Sequence, residues 1–285
     1  MKKYLNGMLA LTLALSLCAC GAPASQSQSS SGADSASTAE AADTTTETDA
    51  AESDLAYIQG KGSMTIGYTV YEPMNYTDEN GEFVGFDTEL ATAVCEKLGV
   101  EPEFVEINWD TKFVELESKS IDCVWNGMTL TDDIQANQAC TQAYARNAQV
   151  VVMKKDSGYT STADLIGKTV AVEAGSAGQS AVEGDENLAQ ADVITKTVQT
   201  DCLLEVKSDT ADAAVLDLTL ASAMTGEGTD YADLEIVDEL NAEEYGVAFR
   251  KDSDVAAAVD AAFEELKADG TMQALADKYG LTLAE

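Results

Sequence analysis

The chain has 285 residues, of which 51 are Asp or Glu, 16 are Lys or Arg and none is His, for a formal charge of −35. A surface this acidic repels DNA, RNA and anionic membranes, so no nucleic-acid partner is expected. Without histidine the Ser-His-Asp and Cys-His nucleophilic arrangements and the usual zinc sites are excluded too, and neither metal nor cofactor is expected.

Residues 1–20 read as a secretory leader, with Lys2 and Lys3, an apolar run and then small residues. The run is about ten to fifteen residues, short of the roughly twenty that cross a bilayer. Its end, LCAC, resembles the lipobox of bacterial lipoproteins, which makes Cys20 the lipidated first residue; ordinary cleavage to a soluble secreted protein is the alternative. Residues 21–54 carry no Lys, Arg or aromatic residue and little apolar bulk beyond alanine. Such a segment buries too little surface to offset its ordering entropy and is expected to be a disordered tether. A lipid followed by a tether implies a folded module held just outside a membrane.

From about Leu55 onward, strand and helix patterns alternate. MTIGYTV is a strand, Asp87 to Leu98 an amphipathic helix ended by Gly99, EFVEI a strand, Trp109 to Lys119 a helix and IDCVW a strand. NAQVVVMK, KTVAVE, DVITKTV and DAAVL continue the strands, with helices near Thr162, after GSAG, at Thr200 to Lys207 and at Asp217 to Met224. EIV and YGVAFR are strands, and Asp254 to Ala268 and Met272 to Lys278 are closing helices. Alternation at this spacing gives an α/β fold with mostly parallel sheets covered by helices. Cys95, Cys123, Cys140 and Cys202 are widely spaced without a CxxC, which argues against a metal cluster. Cys95 and Cys123 sit in apolar patterns that suit buried free thiols, and no bridge is assigned.

The stretch from NYTDENGEFVGFDTELATAVCEKLG through NWDTKFVELESKSIDCVWNGMTLT, with KTVAVEAGSAG, DAAVLD and VAFRKDSDVAAAVDAAFEELKADGTMQAL after it, resembles the family 3 extracellular solute-binding proteins of amino-acid ABC transporters. That resemblance implies a periplasmic-binding-protein-like fold of two lobes joined by a hinge, with the ligand cleft between them. The first lobe is then 55–144 plus 241–285 and the second 145–240, with the ligand outside the carboxyl ends of the strands. Tyr71 and Trp109 stand where the family lays aromatic rings over the ligand, although tryptophan is also an ordinary core residue. Met74 is either cleft lining or core filling. Gly127 and Thr129 stand where a backbone N–H and a hydroxyl meet the ligand carboxylate, with Asn126 beside them; a turn glycine and a capping threonine are the plainer reading. Ser176 and Ala177 open a helix whose N–H groups can receive an anion. Asp217 stands where the family pairs a carboxylate with the ligand's ammonium, with helix capping as its competitor.

One departure stands out. After the glycine turn the family commonly has an arginine that clamps the ligand α-carboxylate, and here Ile134 takes its place. Three answers are open: Arg146 reaches in from the hinge side, backbone donors at Gly127 and Ala177 act with Thr129 alone, or the ligand lacks a free α-carboxylate. Glu72, Asp110, Asp132 and Asp133 tilt the local field toward a cationic or zwitterionic ligand.

The implied function is capture of a small polar solute, an amino acid or amine-like compound, by a monomeric, lipid-anchored protein on the extracellular face of the cytoplasmic membrane. Its partners are an ABC permease and an ATPase. No bond is made or broken. The alternatives are a ligand-presenting sensory module and a dehydratase-like enzyme working in the same cleft.

Overall fold

The computed structural model describes residues 53–285. The leader, Cys20 and nearly all of the tether lie outside the described residues. The tether's expected end does not: Ser53 caps an unanticipated helix, α1 (Asp54–Lys61), its hydroxyl accepting from the Ala56 N–H at 3.0 Å and donating to Asp254 at 2.5 Å.

In chain order the elements are β1 (Ser63–Tyr68), a short hairpin of β2 (Tyr76–Thr77) and β3 (Phe83–Val84), α2 (Phe86–Leu98) and β4 (Glu101–Glu106). A single 3-10 turn, Trp109–Thr111, leads into α3 (Lys112–Glu117), then β5 (Cys123–Thr129), α4 (Asp132–Asn137), β6 (Ala139–Cys140) and the long β7 (Ala145–Lys154). There follow β8 (Thr169–Glu173), α5 (Ala177–Gly184), β9 (Asp192–Lys196), α6 (Gln199–Lys207), β10 (Ala213–Asp217) and α7 (Leu218–Met224). The chain closes with β11 (Leu234–Phe249), α8 (Val255–Ala268) and α9 (Thr271–Tyr279).

Apart from the separate β2-β3 hairpin, the strands form one sheet in the order β4-β1-β5-β11-β7-β10-β8-β9, with β6 on β11. Each end is parallel, as the alternating pattern predicts: β4-β1-β5 at one side and β10-β8-β9 at the other. The middle is antiparallel. β11 pairs with β7 from Leu234 to Tyr245 and with β5 from Tyr245 to Phe249, so one strand serves both halves of this two-lobed α/β fold. EIV and YGVAFR, read separately in the sequence, are the two ends of β11. Register shifts at Ile236/Asp238 and Glu239/Asn241 interrupt its alternation and hide its continuity.

Helix α2 shows why the GFD turn matters. Gly85 has φ +133°, and a Cβ there would lie 2.1 Å from the Met74 carbonyl oxygen, so only glycine lets the chain enter the helix at this point. Phe86, Leu90, Ala91, Val94 and Cys95 then fall on one face and are buried, and Gly99 ends the helix in the left-handed region. Across the core, α8 sets Phe263 edge-on to the fully buried Trp125 with ring centroids 5.7 Å apart, a geometry worth about 0.5–1.5 kcal/mol beyond burial. Met74 is fully buried in the same cluster and so is core filling. The four cysteines among the described residues are free thiols, with Cys95, Cys123 and Cys202 buried.

Candidate functional site

The carboxyl ends of β5, β8 and β10 converge on a cavity of about 390 Å³, where ligands of parallel sheets are expected. The turn after β4 adds Trp109, Lys112 and Phe113; the end of β5 adds Asn126 to Thr129; the start of α4 adds Thr131, Asp133 and Ile134. The opposite wall is Glu173, Gly175, Ser176, Ala177 and Ser180, with Gln199 from α6 and Asp217 from β10.

Asp217 is the best-supported acid of this wall. It is 5 % exposed, and one carboxylate oxygen accepts from Asn147 and Gln149 at 2.6 Å each while the other accepts from Gln199. It makes no side-chain cap of α7, so capping does not account for its position. Burial, then the neighbouring Glu243 charge, push its carboxyl up. Glu243 accepts from Thr129 at 2.8 Å, Asn147 at 2.7 Å and Gln149 at 2.8 Å, tying β5, β7 and β11 together beneath the site. Glu173, 2 % exposed, has one oxygen buried without a partner among the described residues. Burial, then Asp217, raise its carboxyl to about 8.

Opposite these acids stands Lys112, 6 % exposed. Its ammonium donates to the Trp109 carbonyl at 3.1 Å and to the Gly175 carbonyl at 2.8 Å, and lies 4.8 Å from the Trp109 ring centroid. Burial lowers it to about 8. The Gly175 contact joins the two walls. A Cβ on Gly175, whose φ is +69°, would sit 2.8 Å from the Asp110 Cα.

Trp109, Asn126, Gly127, Thr129, Ser176, Ala177 and Asp217 therefore line one cavity, and Ile134 faces it too. Three details differ from expectation. The Gly127 N–H is already donated to Asp87 at 2.6 Å, and that buried carboxyl, raised to about 7 mainly by burial, also accepts from the Tyr144 hydroxyl at 2.9 Å. Asn126 spends its side chain on Thr69 and Asn75, so it braces the turn. The Thr129 hydroxyl donates to Glu243.

Two expected residues are outside the lining. Tyr71 is 2 % exposed and packs against Gly127, its hydroxyl 2.5 Å from that of Tyr245, so it belongs to the core behind the cavity. Arg146 is half-exposed and pairs with Glu285 at 3.0 Å in a separate surface depression beside Tyr279 and Gly280, so it does not stand in for the missing arginine. Of the acids, Asp133 lines the cavity, whereas Glu72, Asp110 and Asp132 do not.

Sequence reasoning missed Lys112, Phe113, Glu173, Gln199, Asn147 and Gln149. Some carried a signal. Lys112 follows Trp109 by three residues on a helical turn, hence on the same face. Asn147 and Gln149 are two apart on β7, hence on one side of the sheet.

Among known proteins, the profile of bacterial extracellular solute-binding proteins, family 3, matches residues 64–282. The chain belongs to this family. The solute-binding protein is 32% identical over 237 residues to the arginine-binding extracellular protein ArtP of Bacillus subtilis, covering 81% of this chain and 91% of that one. It is 30% identical over 235 residues to the L-cystine-binding protein TcyJ of Escherichia coli, covering 81% and 87%. Its fold superposes on the substrate-binding protein of an ABC uptake transporter from Streptococcus pneumoniae with bound histidine, with a TM-score of 0.72 and 31% identity, over 80% of this chain and 96% of that one. The protein is thus an extracytoplasmic binder of a small polar solute, not an enzyme.

Proposed function

We propose that the protein captures an amino acid outside the cytoplasmic membrane and delivers the closed complex to an ABC permease and its ATPase, as a monomer anchored through a lipid on Cys20. The carrying observation is the pairing of opposite charges across one cavity: Asp217 for an α-ammonium and Lys112, in place of the family's arginine, for an α-carboxylate. A buried carboxylate without a cation is costly, and Lys112 meets that need without Arg146. Ala177 at the start of α5 adds an N–H near the same anion, whereas the Ser176 N–H is donated to the Glu173 carbonyl at 3.3 Å. In this reading the lobes are 55–144 plus 241–285 and 145–240, and β7 with β11 is the hinge on which closure turns.

The test is a thermal-shift screen of the purified protein, stripped of carried ligand, against the amino acids and their decarboxylated amines. Ligand at a hundred times its dissociation constant adds about 2.7 kcal/mol, a readable rise in melting temperature. Free α-amino acids should shift the wild type, and Asp217→Asn should abolish the shift while leaving the ligand-free protein folded. Silence with every amino acid would defeat the reading.

Closure carries its own expected result. Gly175→Ala wedges a methyl against Asp110, so ligand affinity should drop roughly tenfold, while the ligand-free protein, free to part its walls and relieve the clash, loses only the cost of a left-handed alanine, about 1–2 kcal/mol. Titration calorimetry beside a melt separates the two effects.

A further inference from the structure

We propose that Asp87 is a positioning residue for ligand capture: its carboxylate ties the Gly127 turn of the cavity to Tyr144 at the head of β7, so that turn and crossing strand are held as one piece. This rests on the hinge reading above and goes beyond it, because Asp87 is not among the residues that line the cavity.

Asp87 is the second residue of α2 and is fully buried. Its Oδ2 accepts both from the Gly127 N–H at 2.6 Å and from the Tyr144 hydroxyl at 2.9 Å. Each donor stands at a joint. Gly127, with φ +57°, lines the cavity near the end of β5, and a Cβ there would lie 2.8 Å from the Tyr71 ring. Tyr144 donates its N–H to the Tyr245 carbonyl at 2.9 Å and accepts from the Ala284 N–H at 3.1 Å, just before β7 begins its long pairing with β11.

Two buried polar atoms of this cluster have no partner among the described residues: Oδ1 of Asp87 and Nε1 of Trp125. One is an acceptor and the other a donor, and the Trp125 N–H is near enough to favour the ionised carboxyl. Buried groups without partners are rare and call for a reason. Two protonation states supply it. A neutral acid, with its proton on Oδ1, takes two donors on Oδ2 and has no use for the indole, whereas a carboxylate takes all three. Burial favours the first state and the three donors the second, which leaves the group balanced at about 7. Hydrogen bonds to an ionised acceptor are roughly twice as strong as neutral ones, so the carboxylate holds turn and strand firmly and the neutral acid loosely. A turn already held costs the ligand less ordering.

The surroundings leave Asp87 to titrate alone. Facing it are Tyr71 after β1, Tyr144 before β7 and Tyr245 of β11, all phenols that burial pushes well above their usual range. On α2 itself Glu89 turns outward to Lys278 and Tyr279 of α9, and the thiols Cys95 of α2 and Cys123 of β5 are raised by burial. From α8, Asp260 accepts from the Gln142 N–H at 2.9 Å and is itself raised by burial. Asp217 and Glu243 act on the far side of the Tyr71–Tyr245 pair.

The experiment is equilibrium dialysis of the full purified chain against an equimolar mixture of the twenty protein amino acids, from about pH 5.5 to about pH 8.5. Asparagine at position 87 keeps an acceptor for Gly127 and Tyr144 but cannot ionise, so Asp87→Asn imitates the neutral acid. It should bind roughly tenfold more weakly than the wild type at the alkaline end and equally at the acid end. Glu173, Asp217 and Lys112 titrate in the same window, but both proteins carry them and they cancel from the ratio. A ratio that stays fixed across pH would overturn the proposal and leave Asp87 a brace of the fold. Tyr144→Phe removes a single oxygen and serves where Asp87→Asn does not fold: it should weaken capture several-fold at the alkaline end, and unchanged capture would overturn the tie to β7.

Ligand-free emission is the readout that does not depend on the amino-acid reading. The chain has two tryptophans, so Trp109→Phe leaves Trp125 to report alone. Its emission should step at about pH 7, Tyr144→Phe should move the step to higher pH by removing a donor to the carboxylate, and Asp87→Asn should abolish it. Emission indifferent to pH would overturn the proposal. A mixture from which no amino acid binds defeats the amino-acid reading, and the emission step then decides the role of Asp87 by itself.

Discussion

Replacing Lys112 by methionine should lower the affinity for a free α-amino acid by roughly two to three orders of magnitude. Removing one member of a buried, hydrogen-bonded charge pair costs about 2–5 kcal/mol, because the partner charge stays buried and unpaired. In the proposed binding mode the partner is the ligand's carboxylate. Methionine keeps an unbranched stem against Trp109 and Phe113, so packing is retained while the ammonium is lost. The control lies in the ligand: the corresponding decarboxylated amine should bind the variant and the wild type alike. Adding Ile134→Arg to Lys112→Met should recover much of the loss, since Ile134 lines the same cavity from the first turn of α4. Calorimetric titration of the four proteins completes a double-mutant cycle. Equal loss for amine and amino acid would show that Lys112 holds the walls together through Gly175 and does not read the ligand.

The same residue shows where the sequence stops being informative. Trp109 and Asp217 were legible because each stands at the end of a readable strand or turn and matches a family position. Lys112 stands on a short helix in a polar stretch, where a solvated lysine is the ordinary case. Only the approach of the Gly175 carbonyl from a segment 63 residues away makes it an internal cation. Glu173 is similar: an acid at a strand end reads as solvated until the neighbouring strand supplies Asp217 and burial removes water. The parallel halves of the sheet were plain in the alternation of strands and helices. The antiparallel β7/β11 pair was not, because its register shifts break the period-two pattern on which strand reading depends. Tyr71 and Arg146 lie outside the cavity for a shared reason, since position in a motif does not say which side of its strand or turn a side chain faces.

The ligand-free protein should lose stability as pH rises from about 5.5 to 7.5. Glu173 is raised to about 8 and Asp87 to about 7, and Asp217 is raised by burial and Glu243. In the unfolded chain these carboxyls titrate near 4. Between the two values the folded state binds more protons than the unfolded one, so unfolding free energy falls with pH. The stability tied to each proton is fully present below the unfolded pKa and is lost as pH climbs through the folded one. The absence of histidine makes the window unusually clean, because no side chain of ordinary pKa titrates there. Above about 8 the sign changes for one group: Lys112, lowered to about 8 by burial, is neutral in the fold while still charged in the unfolded chain. Calorimetric melts from pH 5 to 9 should therefore show a falling limb that Glu173→Gln and Asp87→Asn each make shallower. A saturating ligand whose ammonium meets Asp217 should oppose the fall, because that carboxyl then ionises beside a cation, and its affinity should decline again once Lys112 loses its proton. A flat melt across this window in the ligand-free protein would mean that the buried carboxyls are already ionised at pH 5.5 and that the cavity is far wetter than its geometry implies.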